Sequence, residues 1–216
     1  MIVVGAGGFA KEIIEILIKN DGYDNSNLFI FEEIDKKKSS FYGFKILQEM
    51  DEVKKVFDTL SPDFCLGVGT VIARYNLCKK FENSGGNLVS VVSSNSSIGK
   101  YDVKIGNGTC VMSSSTISNG VSIGKGVLVN ADVLAGHDVT IGDFSDISPG
   151  VKLTGHSMVG RFVTIGTSAV ILPGVKIGDN SMIAAGSVVS NDIPNNSMVV
   201  GIVPSRIVKK LPEFEE

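Results

Sequence analysis

Tryptophan is absent from the 216 residues, histidine occurs twice and cysteine three times, and charge nearly cancels, 20 Lys and Arg against 23 Asp and Glu for a formal −3. Each shortage removes a class of protein. A near-neutral, slightly acidic chain offers no electrostatic footprint for nucleic acid or for an anionic membrane surface. The one basic run, the three lysines at 36–38, follows Glu32, Glu33 and Asp35 and reads as a solvated loop. Cys65, Cys78 and Cys110 have no metal-binding spacing, and an odd number is a poor disulfide framework, so a reducing cytoplasm is expected. The apolar start reaches Lys11 without a basic leader, and no apolar run is long enough to span a bilayer, so neither export nor membrane insertion is expected. What remains is a globular chain, 43% hydrophobic and long enough to bury a sizeable core.

That chain is written in two patterns. Residues 1–86 alternate short apolar runs with amphipathic ones. "MIVVGAGGFA" is a strand breaking into glycines, and "KEIIEILIKN" carries apolar residues at 13, 14, 16, 17 and 18 between charges, as a helix does. "NLFIFEE", "DEVKKVFDTL", "DFCLGVG" and "ARYNLCKKFENSG" continue as strand, helix, strand and helix. This order predicts a small α/β domain around a parallel sheet, ending at the "SGG" of 84–86.

From residue 105 the period becomes six. Ile105, Val111, Ile117, Ile123, Val129, Ala135, Ile141, Ile147, Leu153, Val159, Ile165, Ile171, Ile177, Ile183 and Val189 follow one another without an insertion. Two residues before each lies a second small or β-branched residue, among them Val121, Val133, Val139 and Ser145. Such a hexapeptide repeat is the signature of a parallel β-helix, with three repeats to an eighteen-residue coil and coils stacked about 4.8 Å apart. Residues eighteen apart then lie above one another. Ile98, seven before Ile105, predicts a less regular first coil, and "NDIPNNSMVVGIVPSRIVKK" leaves the period as an extended cap with a basic tail. The domains expected are therefore 1–86 and 87–216.

The segment "AGHDVTIGDFSDISPG" at 135–150 interrupts the aliphatic pattern with His137-Asp138. His137 follows the inward Ala135 by two, which puts it near a corner and outside the prism. Neutral imidazole accepts a proton near physiological pH, as a general base must, and a neighbouring carboxylate can orient the ring or stabilise the imidazolium. The residues alone leave the alternative of an ordinary exposed turn open for both. Gly155 is 137 plus 18, one coil along on the same edge, where bare backbone admits a ligand closely or simply turns a tight corner. His156 follows it directly.

"GAGGFAKEI", the hexapeptides, "HDVTIGDF", "LPGVKIGDNSMIAAGSVVSNDIP" and "GIVPSR" together resemble the sialic acid O-acetyltransferase and sugar-nucleotide N-acetyltransferase family, which includes the bacillosamine and perosamine acetyltransferases. The resemblance covers nearly the whole chain. It implies a left-handed hand for the β-helix and a cytoplasmic acetyl-CoA-dependent enzyme without a metal. It further implies N-acetylation of a nucleoside-diphosphate-linked 4-amino-sugar for surface glycan synthesis, with O-acetylation of sialic acid or a related nonulosonic acid as the alternative. By the same resemblance His137 is the base, Asp138 its helper, and Gly155 an amide donor near the thioester. Many relatives carry a second histidine nine residues after the base; this chain has Asp146 there, so Asp146, Gly155 and His156 are candidate neighbours of the acetyl group.

The turn of Gly5, Ala6, Gly7, Gly8 and Phe9 satisfies G-x-G-x-x-A between strand and helix, a form that turns amides toward phosphate. A dinucleotide fold needs a second βαβ half, which this chain replaces with hexapeptides, so a nucleotide sugar is the better guest. Glu32, Glu33, Gly67, Gly69 and Arg74, at or after strand ends, join the nucleotide candidates. In the family acetyl-CoA lies between neighbouring prisms of a homotrimer. Gly155, Ile165, Gly166, Ala184, Ala185, Arg206 and Lys209 are the candidates for that path, against a plainer reading as prism core, corners and solvated tail. Two other classes remain. A zinc hydratase on this scaffold needs about three imidazoles, and the chain has two; a non-catalytic binding trimer would explain Asp146.

Overall fold

The computed structural model describes residues 1–35, 39–201, 206–210 and 212–213, so the tri-lysine at 36–38 and most of "GIVPSR" lie outside it. The chain divides into two compact units, Met1–Val91 and Val92–Glu216. No helix among the described residues is long and apolar enough to cross a membrane. Cys65, Cys78 and Cys110 are all free and buried.

The first unit is the expected α/β domain. Strands β1 (Ile2–Val4), β2 (Phe29–Phe31), β3 (Ser40–Phe41), β4 (Phe44–Leu47), β5 (Asp63–Leu66) and β6 (Asn87–Leu88) form one sheet in the order β3-β4-β2-β1-β5-β6. Helices α1 (Gly8–Asp21), α2 (Met50–Thr59) and α3 (Val71–Glu82) connect them. Two features were not foreseen. A tight turn at Tyr42-Gly43, both at positive φ, adds the hairpin β3–β4, whose first strand is the antiparallel exception in the sheet. The sheet also runs past Gly86, because Asn87–Leu88 pairs with Asp63–Phe64, so the α/β unit extends to Val91. The apolar face of α1, Ala10, Ile13, Ile14 and Leu17, is buried, which is why its spacing was readable.

The second unit is a triangular parallel β-helix with three flat faces. The first face carries Ser97–Ile98, Thr116–Ile117, Leu134–Ala135, Lys152–Leu153, Val170–Ile171 and Val188–Val189. The second carries Lys104–Ile105, Ser122–Ile123, Thr140–Ile141, Met158–Val159 and Lys176–Ile177. The third carries Cys110–Val111, Leu128–Val129, Asp146–Ile147, Thr164–Ile165 and Met182–Ile183. Register is eighteen residues throughout: Ile117 pairs with Ala135, Ala135 with Leu153, Leu153 with Ile171 and Ile171 with Val189. The two ends depart: Ile98 pairs with Ile117 in the first coil, and Ile183 with Val199, sixteen residues on, in the last. Ser197–Val200 then extends the third face in parallel and Arg206–Lys210 folds back against it antiparallel, forming the extended cap.

The core is the six-step column with its partner two residues earlier. At three polar partners the hydroxyl bonds to a carbonyl of the next coil: Thr109 Oγ1 donates to Gly124 O at 2.7 Å, Ser115 Oγ to Asn130 O at 2.7 Å and Ser145 Oγ to Gly160 O at 2.8 Å, whereas the buried Ser157 and Ser187 hydroxyls make no such bond. A buried hydroxyl is thereby satisfied, which lets serine stand in an aliphatic interior. The corners are as regular as the core. From Asp102 to Gly186 every sixth residue has a positive φ of 52–73°, including Asp138, Phe144, His156 and Phe162. Each corner takes one left-handed residue to rotate the chain from one face to the next, a conformation that glycine, Asn and Asp adopt most easily.

Replacing an inward residue should therefore cost far more than replacing its outward neighbour. Ile147→Ala, at a fully buried site, is expected to lose about 2–5 kcal/mol of stability. Lys152→Ala, pointing outward from the first face, should stay within about 0.5 kcal/mol. Denaturant unfolding of the two variants beside the parent checks this, and similar losses would contradict the assignment of faces.

Candidate active site

The first edge of the prism, between the first and second faces, carries Asp102, Gly120, Asp138, His156 and Gly174 at its left-handed positions, one per coil. Asp138 and His156 are thus stacked by the eighteen-residue register, and His137 precedes Asp138 on the outer side of the same corner. His137 Nδ1 lies 2.9 Å from Asp138 Oδ2. With its proton on Nδ1 the imidazole donates to the carboxylate and keeps the Nε2 lone pair free. His156 Nδ1 lies 3.7 Å from the same oxygen, and the two rings meet edge to face with centroids 4.8 Å apart. All three side chains are more than half exposed.

Two glycines make room for this arrangement. A methyl group built on Gly155 would lie 2.5 Å from His137 Nε2, and one built on Gly120 would lie 2.3 Å from Asp138 Oδ1. Any other residue at 155 would press its β-carbon onto His137 Nε2. Gly155 was expected from the arithmetic of the coil; Gly120, one coil before Asp138, was missed although the same arithmetic points to it.

The other candidates separate. Asp146 does not join His137: it sits on the third face, opposite the first edge, and its Oδ1 accepts from Asn130 Nδ2 at 3.1 Å. The physical reason is that nine residues are half a coil. Gly166 and Ala185 stack on the third edge, between the third and first faces, where a methyl on Gly166 would meet Ala185 N at 2.5 Å. Ile165 is buried in the prism core, Ala184 is half-buried and Ala185 exposed. Arg206 and Lys209 are exposed in the last strand. Within one chain, then, the residues expected along the CoA path occupy more than one edge.

In the α/β unit the chain leaves β1 toward β2 on one side and later returns to β5 on the other, which opens a crevice at the C-terminal strand ends. Val4, Gly5, Phe31, Glu32, Glu33 and Val68 line a cleft there. Behind it α1 starts at Gly8, with no side chain capping it and no acid in its first turn, so the amides of Gly8 and Phe9 face outward beside exposed Gly7 and half-buried Ala6. Several of these candidates already have partners within the unit. Gly5 N already donates to Phe31 O at 2.8 Å, so that amide belongs to the sheet. Glu33 is paired with Lys80, and Glu32 Oε1 accepts from Ile34 N at 2.8 Å. Arg74 is buried, 2% exposed, and its Nη1 donates to Gly69 O at 2.7 Å; it holds the β5–α3 turn from inside rather than facing a ligand. Gly67, also buried, bonds to Val4 O through its own amide at 2.8 Å.

Residues 1–81 match the PglD N-terminal domain family, and residues 156–191 match the bacterial transferase hexapeptide (six repeats) family. No curated protein matches the chain. Three solved structures are similar over nearly the full length. The acetyltransferase domain of PglB from Neisseria gonorrhoeae FA1090 is 26% identical, covering 96% of this chain and 98% of that one, with a TM-score of 0.86. WeeI from Acinetobacter baumannii AYE is 26% identical over 96% and 98%, with a TM-score of 0.88. PerB from Caulobacter crescentus, in complex with CoA and GDP-perosamine, is 25% identical over 96% and 96%, with a TM-score of 0.87. With a PglD-type α/β unit ahead of a left-handed hexapeptide β-helix, this chain resembles the bacillosamine and perosamine N-acetyltransferase-like family.

Proposed function

We propose that the protein is an acetyl-CoA-dependent N-acetyltransferase acting on a nucleoside-diphosphate-linked 4-amino-sugar for surface glycan synthesis, working in the cytoplasm as a homotrimer. The observation that carries this reading is the His137–Asp138 pair, with Nε2 left clear by Gly155. Similarity to PerB, solved with CoA and GDP-perosamine, and to the PglB domain, solved with acetyl coenzyme A, supports the substrate classes.

The chemistry asks little of the protein. The thioester carbonyl is already electrophilic, so the enzyme has to hold both substrates in line and remove one proton. The uncharged sugar amine attacks the carbonyl carbon, His137 Nε2 takes the amine proton as the C–N bond forms, and CoA leaves as its thiolate. Asp138 fixes the tautomer and stabilises the imidazolium. The amides at the start of α1, with Gly7 and Gly8, receive the pyrophosphate, and the cleft lined by Glu32 and Glu33 receives the nucleoside. Asp146 lies half a coil from His137, so a second copy is the route by which the third face and the edge bearing Gly166 and Ala185 join the first edge. A mass near three chains of 22.8 kDa in sedimentation equilibrium is expected.

The purified protein should acetylate one member of a panel of UDP-, dTDP- and GDP-linked 4-amino-sugars, read by product mass. Acetylation of a free or CMP-linked sialic acid in the same panel would move the assignment to oxygen. His137→Ala should lower kcat by about 10²–10⁴-fold. Gly155→Ala should keep the fold but lower kcat by up to about 100-fold, because its methyl displaces the imidazole. Ala185→Trp should raise KM for acetyl-CoA by about tenfold or more and leave KM for the nucleotide sugar unchanged, a loss of ~1.4 kcal/mol of binding. An unchanged KM for acetyl-CoA would remove the third edge from the CoA path.

A further inference from the structure

The first edge assembles more than a base and its helper. His137, Asp138 and His156 each offer a ligand atom, and those atoms lie within 4.8 Å of one another on the exposed side of the prism. Two of the separations are known in detail: both Nδ1 atoms face Asp138 Oδ2, at 2.9 and 3.7 Å. A tetrahedral zinc ion with arms of roughly 2.0–2.1 Å sets its ligands about 3.3 Å apart, midway between those two distances. The donor set, two imidazoles and one carboxylate, is the kind that zinc and its neighbours in the transition series prefer, and a fourth position is left to water. The trio is spanned by a single corner-to-corner step, and His156 N also donates to His137 O at 3.0 Å, so the two coils hold their ligands at fixed separation.

We propose that this trio binds a zinc-class divalent cation as a reversible inhibitor, distinct from any cofactor. Coordination through Nδ1 obliges neutral His137 to carry its proton on Nε2, which then has no lone pair to take a proton from the amine. The cation also takes the Asp138 carboxylate that would orient the ring. Occupancy and acetyl transfer thus exclude each other without any movement of the fold. The inhibitory half of this inference rests on His137 as the base; the binding half rests on the three side chains alone.

The test separates the halves. The full chain, freed of metal by chelation and kept without thiols or CoA, is titrated with Co²⁺ while its visible absorption is followed, then with Zn²⁺ to displace it. One saturable equivalent per chain, with the intense bands of four-coordinate cobalt, is expected. Asp138→Asn and His156→Gln, both at exposed corners, should each weaken binding by about tenfold or more, since losing even an outer-shell partner costs 10–100-fold. Zn²⁺ should then suppress initial rates of acetyl transfer, read by product mass, over the same concentration range as it displaces Co²⁺. No saturable binding, or equal affinity in both variants and the parent, overturns the site. Binding without inhibition of an active enzyme overturns the blocking role. A chain that binds Co²⁺ yet acetylates nothing contradicts the transferase reading and leaves the cation site supported.

Discussion

The regular body of the second unit depends on keeping each coil at eighteen residues. Parallel pairing between coils fixes the rise, and the inward pair of each hexapeptide fills a prism too narrow to tolerate a slip, since one added residue would turn a strand's aliphatic side chain to solvent and its outward one into the core. The left-handed corner residue absorbs the change of direction at the same place in every repeat. Its backbone conformation is costly for most side chains, and the chain accepts Asp, Ser, Asn, His and even Phe there as well as glycine. Phe144 and Phe162 show how such a position is compensated: on the second edge their rings stack nearly parallel, 7° apart with centroids at 6.0 Å, and both are buried.

That constraint decides where chemistry can be placed. Inward positions are committed to packing and strand positions to pairing, so corners are where a polar side chain can project without disturbing either. A side chain there is nonetheless attached to a stack of hydrogen-bonded coils, and this supplies the preorganisation a catalytic group requires. The first edge uses this twice: Asp138 leans over bare Gly120 on the coil before, and His137 leans over bare Gly155 on the coil after. The pair is therefore held by absence of side chains as much as by the hydrogen bond between them.

Much of this was legible in the sequence. The period of six announced the faces, the core column and the less regular first coil, because a repeat this strict has a single packing solution. His137, Asp138 and Gly155 were legible for a related reason, since position in a coil converts directly to position on an edge. The failures arose where no period operates. The hairpin at 40–47 consists of strands of two and four residues, too short for alternation to show. Arg74 looked like a surface cation near a strand end, yet its position on α3 turns it into the interior, where its guanidinium serves the Gly69 carbonyl. Glu33 found a partner in Lys80, forty-seven positions away, which no local pattern could announce. Gly5 illustrates a subtler limit: a glycine motif identifies a turn but not which of its amides the neighbouring strand has already taken.

Asp146 is the case in which the period was available and its consequence was not drawn. A residue nine positions from His137 lies half a coil away, which in a triangular prism is the face opposite the edge that carries His137. Two side chains on opposite sides of a closely packed prism cannot address the same acetyl group in one chain. The same logic applies to Gly166 and Ala185, one edge removed from His137. Asp146 in place of an expected histidine therefore leaves the surroundings of His137 unchanged, because its carboxylate partner and the bare Gly155 both come from its own edge.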